Sequence, residues 1–592
     1  MKVQLRGQAQ EFLGQSELVV ITERVDDVAL LLGQMMQMGL PEILDTHLPR
    51  HWKQEGLSWG WTAVVWLAYI LSEGDHRKVS VETYVAGMIQ TLSHVTGQSI
   101  RVLDFSDDRL AHVLKHLSQA KYWHPIEQAL NERSMAVYDL PTEVIRCDAT
   151  TVSACHEVVE GGLVQFGHSK DDPSRPQIKL MTASLDPLGL PLATNVLSGE
   201  QADDGLYLPI LDRVLKGLNR SGLLIVGDCK MSAFGIRSDL VGKRQYYLSP
   251  LPLTGVTAQR MPQWISQGIA KAETGELESI VKPNDQGQEV EVAHGYEIKR
   301  VCEVNDPAGP WQWQERVLVI RSLAQAHKQA GGLEHRLATA ESKIRALTPS
   351  RGRGKRQISE ERQLLDAIGK VLKAHRVEGL MTIDYVKQTE CCTQYMGRGR
   401  GAAQRDKRVI EKVRYQITQV RRHDDQIAAL NAGFGWKAFV TNAPRARLSL
   451  AEAVVCYRHE YRIERIFNRL KSRLQISPLF VKRDDQIEGL TYLLTLGVRV
   501  LTVMEFTLQR SLQREQAGLA GLHLENRHRC TDKPSAERVL KAFSKVTLTI
   551  MKDGEGRECG RWLTPLSAVQ QDILHHLGLE GSLYSQLEIH NT

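Results

Sequence analysis

The stretch EVIRCDATTVSA, residues 143–154, marks the place where the sequence changes from a helix-forming to a strand-forming pattern. Its short run of β-branched and apolar residues predicts a strand with Asp148 inside it. Downstream, the sequence predicts a hairpin around the turn DPLG at residues 186–189, an amphipathic helix in DDGLYLPILDRVLKGL, and a short apolar strand, GLLIVGD, that ends at Asp228. This order predicts an α/β domain with a partly antiparallel sheet.

The residues before this domain, 1–135, predict a mainly helical domain that follows one strand-like run, SELVVITER. The first stretch of the chain, MKVQLRGQAQEFLGQ, lacks an apolar core, so we expect no signal peptide. The apolar run LTYLLTLGVRVLTVMEF carries Arg499 near its middle and predicts a buried helix rather than a membrane span. Nine cysteines without a C-x-x-C pair argue against a disulfide framework and predict a reducing, cytoplasmic location.

A long interruption, residues 241–435, separates the α/β pattern from its continuation. It contains two strand-like runs, EVEVAHGYEIKRVCEV and WQWQERVLVIRS, and two helix-like runs on either side of the basic loop TPSRGRGKRQ. Between Arg398 and Arg422 there are nine Lys or Arg residues and two acidic ones. This local charge favours equally a solvated, protruding hairpin and a contact with a phosphate backbone. The net charge of the whole chain, +6, is only mildly basic and does not decide between them.

The α/β pattern resumes with the strand-like run WKAFVTNAP. A capping box, SLAE at Ser449–Glu452, then predicts the start of a helix. Because the residue before a proline is biased away from the helical conformation, Pro478 predicts the end of that helix. We therefore expect one long helix that contains YRHEYRIERIFNRLKSRL, Tyr457–Leu474.

Three acidic residues lie where strand and helix geometry can aim them at one point: Asp148 inside a strand, Asp228 at the end of another, and Glu464 on the late helix. Burial makes a carboxylate at a strand end costly, although such a residue also caps turns. Mg²⁺ prefers oxygen ligands, and two such ions about 4 Å apart can activate a hydroxyl and stabilise the leaving oxygen of a phosphodiester. Together, the three acids predict a site for two divalent ions, Mg²⁺ or Mn²⁺.

The late helix divides into faces when it is drawn as one continuous helix. Positions seven apart lie almost in register, so Tyr457, Glu464 and Lys471 form one stripe. A second, apolar face would pack on the sheet. A third face is almost purely basic, which favours anion binding over the mixed ion pairs of an ordinary solvated helix. Its members are Arg458, Arg462, Arg465, Arg469 and Arg473.

With these residues the chain resembles the DDE transposases of bacterial insertion sequences. The late helix is similar to the Tyr-x2-Arg-x3-Glu-x6-Lys signature of the group named after insertion sequence 4. Tyr457, Glu464 and Lys471 fall on signature positions, whereas Glu460 occupies the Arg position. The Arg of the signature is expected to contact a DNA phosphate. In this chain either Arg458 or Arg462 would make that contact instead, or the contact would be absent. GHSKDDPSRPQIK and SPLFVKRDDQIEGL are similar to the subgroup named after insertion sequence 1634.

The resemblance implies a ribonuclease-H-like catalytic core in two parts, residues 136–240 and 436–515. An inserted α+β domain, residues 241–435, would interrupt this core. The helical domain at 1–135 would bind DNA ends, and the region 516–592 would serve dimerisation or DNA contact.

The resemblance also implies a DNA transposase. Asp148, Asp228 and Glu464 would bind the metal ions, and the chain would cut the ends of its own element and join the 3′-hydroxyls to target DNA. The partners would be double-stranded DNA, at the inverted-repeat ends and the target, and a second copy of the chain, with no membrane. The location would be the bacterial cytoplasm at the nucleoid. Residues expected to touch DNA are Tyr457, Lys471, Arg458, Arg462, Lys170 and Arg175.

Two other functions remain open at this point. A metal-dependent DNA nuclease with the same core would cut DNA without joining ends. A catalytically inactive DNA-binding protein would bind end DNA without either reaction, and Glu460 at the Arg position of the signature leaves room for it. The segment GHSKDDPSRP, which holds Lys170 and Arg175, is equally well explained as a polar loop between strands.

Overall fold

The computed structural model describes residues 18–588 with short gaps. The gaps are 51–54, 170, 284–286, 307–308, 351, 353–354, 356, 397–406, 524–525, 527 and 580. The expectation for the first stretch of the chain and the one for Lys170 therefore lie outside the described residues. The chain folds into two compact units, one formed by residues 1–249 and 456–592 and the other by residues 250–455. The five-segment division expected from the sequence stays a prediction.

The first unit begins with one strand and a series of helices, as the apolar periodicity predicts. The strand-like run SELVVITER is confirmed as a strand over Val19–Arg24, and the mainly helical character of the following described residues is confirmed as well. These elements are β1 Val19–Arg24, α1 Val28–Gln37, α2 Leu40–His47, α3 Trp59–Glu73, α4 Val81–Ala86, α5 Ile89–Thr96, α6 Asp107–Leu117 and α7 Ala120–Tyr138.

A five-stranded part of the sheet follows in the same unit, in the order β4-β3-β2-β5-β6. Strand β3 is antiparallel to both β2 and β4, whereas β5 is parallel to β2 and β6 is parallel to β5. The predicted strand, hairpin, helix and strand are thereby confirmed. The elements are β2 Val144–Ser153, β3 Gln177–Asp186, β4 Leu190–Ser198, α8 Tyr207–Leu218, β5 Leu224–Gly227, α9 Phe234–Gly242 and β6 Tyr246–Pro250.

The second unit combines an antiparallel sheet, in the order β12-β9-β8-β7, with a two-stranded arm, β10-β11, and helices. The two helix-like runs and the strands on both sides of them are confirmed, but the long arm strands were not expected from the sequence. The elements are α10 Gly255–Glu273, β7 Glu278–Pro283, β8 Glu289–Asp306, β9 Gly309–Ser322, α11 Leu323–Ala346, α12 Glu361–His375, β10 Met381–Tyr395, β11 Lys407–Arg422, α13 Asp424–Ala432 and β12 Trp436–Thr441.

The predicted long helix is wrong, because the chain forms three consecutive pieces there. The capping box is confirmed, since the Glu452 amide donates to Ser449 Oγ and the Ser449 amide donates to the Glu452 carboxylate. The elements from this point to the end are α14 Leu450–Arg458, α15 Tyr461–Asn468, a π-helical turn Arg469–Arg473, α16 Asp484–Arg514, α17 Ala536–Ala542, β13 Thr547–Lys552, β14 Glu558–Leu563, α18 Ala568–Leu577 and α19 Ser582–Ser585.

The break between α14 and α15 has a visible cause. The amides of His459 and Glu460 donate to carbonyls three residues earlier, as in a tight turn, rather than four. In a continuous helix the carbonyl of Cys456 would accept from Glu460, but here it accepts from His459 and from the Arg146 guanidinium at 2.7 Å. A contact with a distant strand therefore replaces the helical hydrogen bond.

Helix α16 is the apolar run with Arg499 at its middle. It is long and apolar enough to cross a membrane, but its most apolar stretch is almost entirely buried inside the protein. Inside the protein, Arg499 donates to the Pro191 carbonyl at 2.6 Å and to Asn131 Oδ1 at 2.8 Å. The prediction of a buried helix is confirmed.

Candidate active site

The two predicted strand carboxylates lie side by side. Strands β2 and β5 are parallel neighbours, and the last registered pair is Cys147 with Gly227. Asp148 and Asp228 each come one residue later, and adjacent strands are about 4.8 Å apart. Residues in register on neighbouring strands point to the same face of a sheet. The fold therefore brings Asp148 and Asp228 together at one edge of the parallel pair.

Asp228 is held by hydrogen bonds on two sides. The Tyr207 hydroxyl donates to Asp228 Oδ1 at 2.6 Å, and the Lys230 amide donates to the same oxygen at 2.9 Å. Burial, together with the nearby charges of Asp228 and Asp148, raises the pKa of Tyr207 well above its usual value. Tyr207 therefore keeps its proton at neutral pH and acts as a donor to Asp228.

Glu464 lies on α15, which packs against β2. The helix buries Ile463, Ile466 and Phe467, because these residues form one apolar face at helical spacing. Glu464 lies outside that face and is exposed, so its carboxylate is open to solvent and to ligands.

Tyr457 lies near both Asp228 and Glu460. Burial raises the pKa of Tyr457 well above its usual value, and the charges of Glu460 and then Asp228 contribute. Tyr457 is consequently a neutral hydrogen-bond donor beside the carboxylates. Glu460 sits in the turn between α14 and α15.

The arginines that follow Tyr457 meet carboxylates of the chain itself. Arg462 pairs with Asp186 at 2.7 Å, and Arg465 and Arg469 both pair with Glu505 at 2.6 Å. Arg469 is also buried rather than exposed. These three residues are therefore paired with acidic side chains from other elements and do not form an unpaired basic face, and whether they contact DNA stays a prediction.

The other predicted DNA contacts lie in several places. Lys471 pairs with Asp171 at 2.7 Å, which ties the loop before β3 to the π-helical turn. In the same loop Arg175 pairs with Asp172 at 3.2 Å and donates to Cys155 Sγ at 3.3 Å. Arg458 is half-buried, and burial lowers its pKa. Their roles toward DNA stay predictions.

Sequence reasoning missed three residues around the site: Tyr207, Arg146 and Asp186. Tyr207 was assigned only to an amphipathic helix, and Asp186 only to a turn. Arg146 gave the clearer signal, since it is a charged residue two positions before Asp148 in the apolar first part of the strand, between Ile145 and Cys147.

The three predicted ligands offer carboxylate oxygens, which are the donors that hard cations such as Mg²⁺ prefer. Among the described residues, one set of three potential ligands has its donor atoms all within 4.8 Å of one another, and it consists of Glu515, His575 and His576. Asp148, Asp228 and Glu464 are not a compact set of this kind, and their binding of metal ions stays a prediction.

Comparison with known proteins gives one family. The model of the transposase DDE domain matches residues 139–499, which is more than half of the chain and includes Asp148, Asp228 and Glu464. No curated protein matches the sequence significantly. Among solved structures, the chain is similar to the piggyBac transposase in a cryo-EM synaptic complex with hairpin DNA. That likeness has a TM-score of 0.32 and 8% identity, and it covers 96% of this chain and 87% of that one.

Proposed function

Because the chain belongs to the transposase DDE domain family, we propose that it is a DNA transposase of the insertion-sequence type. It cuts the ends of its element and joins the freed 3′-hydroxyls to target DNA. The observation that carries this proposal is the register of β2 and β5, whose last pair, Cys147 with Gly227, directly precedes Asp148 and Asp228. The assignment to the groups named after insertion sequences 4 and 1634 rests on the late-helix residues Tyr457, Glu464 and Lys471.

A ribonuclease-H-like core is part of the proposal. The strand order β4-β3-β2-β5-β6 supports it, since Asp148 lies on β2 and Asp228 directly follows β5, the parallel neighbour of β2. The packing of α15 on β2 supports it further, because that helix carries the third carboxylate.

DDE transposase domains use divalent metal ions, and we assign the ligands here as Asp148, Asp228 and Glu464. Bound there, two Mg²⁺ or Mn²⁺ ions would activate the attacking hydroxyl and stabilise the leaving oxygen of the phosphodiester. The chain itself orients the ligands. Tyr207 and the Lys230 amide hold Asp228 Oδ1, and the Ala149 amide donates to Asp148 Oδ1 at 2.7 Å.

DNA is the proposed partner, at the inverted-repeat ends and at the target. Tyr457 is suited to a backbone phosphate, because it is a neutral donor beside the carboxylates. A homodimer would hold the two ends together, and the protein would work in the bacterial cytoplasm at the nucleoid. Further residues proposed to contact phosphates are Arg458, Lys170, Arg175 and Lys471. Lys471 would have to leave its ion pair with Asp171 in order to bind DNA.

The test uses purified protein, DNA carrying the flanking inverted repeats, and a supercoiled target plasmid in Mg²⁺. We expect end cleavage and strand transfer from the wild type. Asp148→Asn, Asp228→Asn and Glu464→Gln should each lower both reactions by at least about a thousandfold, because each removes a metal ligand charge. Asp212→Asn is the matched control, because it removes an exposed carboxylate of α8 that is not a predicted ligand. This variant should keep both activities.

The same assay separates the alternatives. Cleavage without joining, even of DNA with preformed 3′-hydroxyl ends, would identify a nuclease. Binding of end DNA without any metal-dependent reaction would identify an inactive DNA-binding protein. Strand transfer that survives all three carboxylate substitutions would overturn the site assignment.

A further inference from the structure

A buried group of three charged side chains lies beside the candidate site. Asp186, the last residue of β3, accepts from Arg146 Nη2 on one carboxylate oxygen and from Arg462 Nη1 on the other, both at 2.7 Å. The side chains of Arg146 and Asp186 are 3% and 4% exposed, and that of Arg462 is 22% exposed. We call these three residues the Asp186 clamp.

Burial of this group has a high cost. Removing charges from water costs several kcal/mol per ion, and a buried ion pair offsets this only with good geometry and further hydrogen bonds. Apolar residues of similar size would stabilise the fold as well or better. A role in fixing the relative positions of elements explains the presence of the clamp better than stability does.

The clamp joins the two elements that carry candidate metal ligands. Arg146 lies two residues before Asp148 on β2, so both side chains point to the same face of the sheet. Arg462 lies two residues before Glu464 on α15. Asp186 therefore links the strand of one ligand to the helix of another.

The clamp also spans the break in the late helix. Arg146 Nη2 donates to the Cys456 carbonyl near the end of α14, at 2.7 Å. Through Asp186, the same guanidinium is connected to Arg462 in the first turn of α15. Two helix pieces that no longer share a continuous hydrogen-bond ladder are thus tied to one strand.

The geometry of α15 explains how the clamp would act on Glu464. Residues two apart lie about 160° apart around a helix, so Arg462 and Glu464 flank the buried face on opposite sides. Arg462 fixes one flank on the β3 side. The other flank, with Glu464, then faces the β5 side, where Asp228 follows its strand.

A close backbone approach adds an independent observation. Gly189, in the turn between β3 and β4, has a φ of +68°, and a Cβ there would lie 3.1 Å from the Arg462 carbonyl oxygen. The turn that follows Asp186 therefore supports the same residue of α15 that Asp186 binds.

We propose that the Asp186 clamp positions α15 so that Glu464 completes the metal site with Asp148 and Asp228. This inference rests on the proposed function. Arg462 is accordingly a positioning residue, and the anion that it binds is Asp186 rather than a DNA phosphate.

The first experiment measures the affinity for Mn²⁺ in the absence of DNA. Electron paramagnetic resonance reports the free Mn²⁺, at a temperature well below that of unfolding. Asp186→Asn and Arg462→Met should each weaken Mn²⁺ binding about 10- to 100-fold, as loss of a supporting contact does at metal sites. The double variant should be little worse than either single one, because both changes act on one network. Arg462→Lys should restore part of the affinity.

Arg465→Met is the matched control, since Arg465 is also an ion-paired arginine on α15. It should leave Mn²⁺ affinity within about twofold of the wild type. If the clamp variants lower the unfolding temperature but bind Mn²⁺ like the wild type, the proposal is overturned, because the clamp is then only structural.

A salt series of end-DNA binding without divalent metal tests the competing role of Arg462. We expect Arg462→Met to leave the salt dependence of binding unchanged. A fall in the logarithmic salt slope by about 1, absent in Asp186→Asn, would mean a phosphate contact and would overturn the proposal. A different outcome would separate the two proposals. If the protein binds Mn²⁺ through Asp148 but neither cuts nor joins DNA, the proposed function is overturned and the clamp proposal is not.

Discussion

The best-defined side chain of the candidate site is Asp228. It follows a short buried strand, so its backbone is fixed by the sheet, and the Ser249 hydroxyl donates to its carbonyl at 2.6 Å. Its carboxylate is oriented by Tyr207, a residue of α8, and by the Lys230 amide. A carboxylate fixed in this way does not have to be ordered when it binds a cation, which lowers the entropic cost of binding.

Tyr207→Phe tests this orientation at a single atom. Loss of the hydroxyl leaves Asp228 Oδ1 with the Lys230 amide as its described donor. We expect the Mg²⁺ concentration for half-maximal end cleavage to rise about 10-fold or more. The free energy of unfolding should fall by only about 1 kcal/mol. Tyr84→Phe, which removes a buried hydroxyl on α4, is the control; an equal metal response in both variants would contradict the prediction.

At the scale of elements, the sequence predicts the strands β2–β5 of the first unit well. Short apolar runs bounded by turn residues determine β2, β3, β4 and β5, and the adjacency of Asp148 and Asp228 follows from two of them. Local periodicity could not predict the break at His459 and Glu460. That break involves Arg146, a residue more than 300 positions away, whose guanidinium donates to the Cys456 carbonyl.

Two other features could not be predicted from the sequence, for related reasons. The Arg462–Asp186 pair joins residues 276 positions apart, and an aspartate before a proline looks like an ordinary turn residue. The arm strands β10 and β11 are rich in charged residues, and the charge between Arg398 and Arg422 indicated a solvated, protruding hairpin or a phosphate contact rather than a long strand pair. They form strands because each pairs along its whole length with the other.

The contact between α7, β4 and α8 gives a pH prediction at this scale. Glu127 on α7 accepts from the Thr194 amide at 3.0 Å and from Trp123 Nε1 at 3.1 Å, and it lies 3.2 Å from Arg213. Burial raises the pKa of Glu127 to about 7, above its value in the unfolded chain. The folded state therefore binds more protons between these two pKa values, and stability is lost as the pH rises through 7.

Glu127→Gln should remove this contribution, since glutamine keeps the shape but does not ionise. Between pH 6 and pH 8 the wild type should lose about 1 kcal/mol of unfolding free energy more than the variant does. Urea unfolding at both pH values measures the difference. Glu132→Gln, an exposed change on the same helix, should behave like the wild type, and a pH response in Glu127→Gln equal to that of the wild type would refute the assignment.

At the scale of the whole molecule, each compact unit has its own core. The second unit buries Leu337, Ile344 and Leu364 between α11, α12 and the arm. The first unit joins early and late parts of the chain, because β1 pairs with β13 in a three-stranded sheet with β14. Tyr584 adds to that connection, since its buried hydroxyl accepts from the Leu30 amide at 3.2 Å and donates to the Asp26 carbonyl at 2.7 Å.

Tyr584→Phe tests how much this connection contributes. Two buried polar groups of the backbone lose their partner, so the free energy of unfolding should fall by about 1–3 kcal/mol. Thermal unfolding of the full chain, read by circular dichroism, measures the change. Tyr122→Phe, at a half-buried tyrosine on α7, is the control, and an equal shift in both variants would argue against a special role for Tyr584.

The pairing of β1 with β13 has a consequence for protein synthesis. Ile21 of β1 and its partner Ile550 of β13 are 529 residues apart, and a ribosome that adds about 5–20 residues per second needs roughly half a minute to two minutes to pass from one to the other. Throughout that time β1 lacks the strand that pairs with it in the finished fold. A polypeptide released by a stop codon before β13 would lack that strand altogether, so the amount of correctly folded first unit depends on how often translation passes the codons of β13.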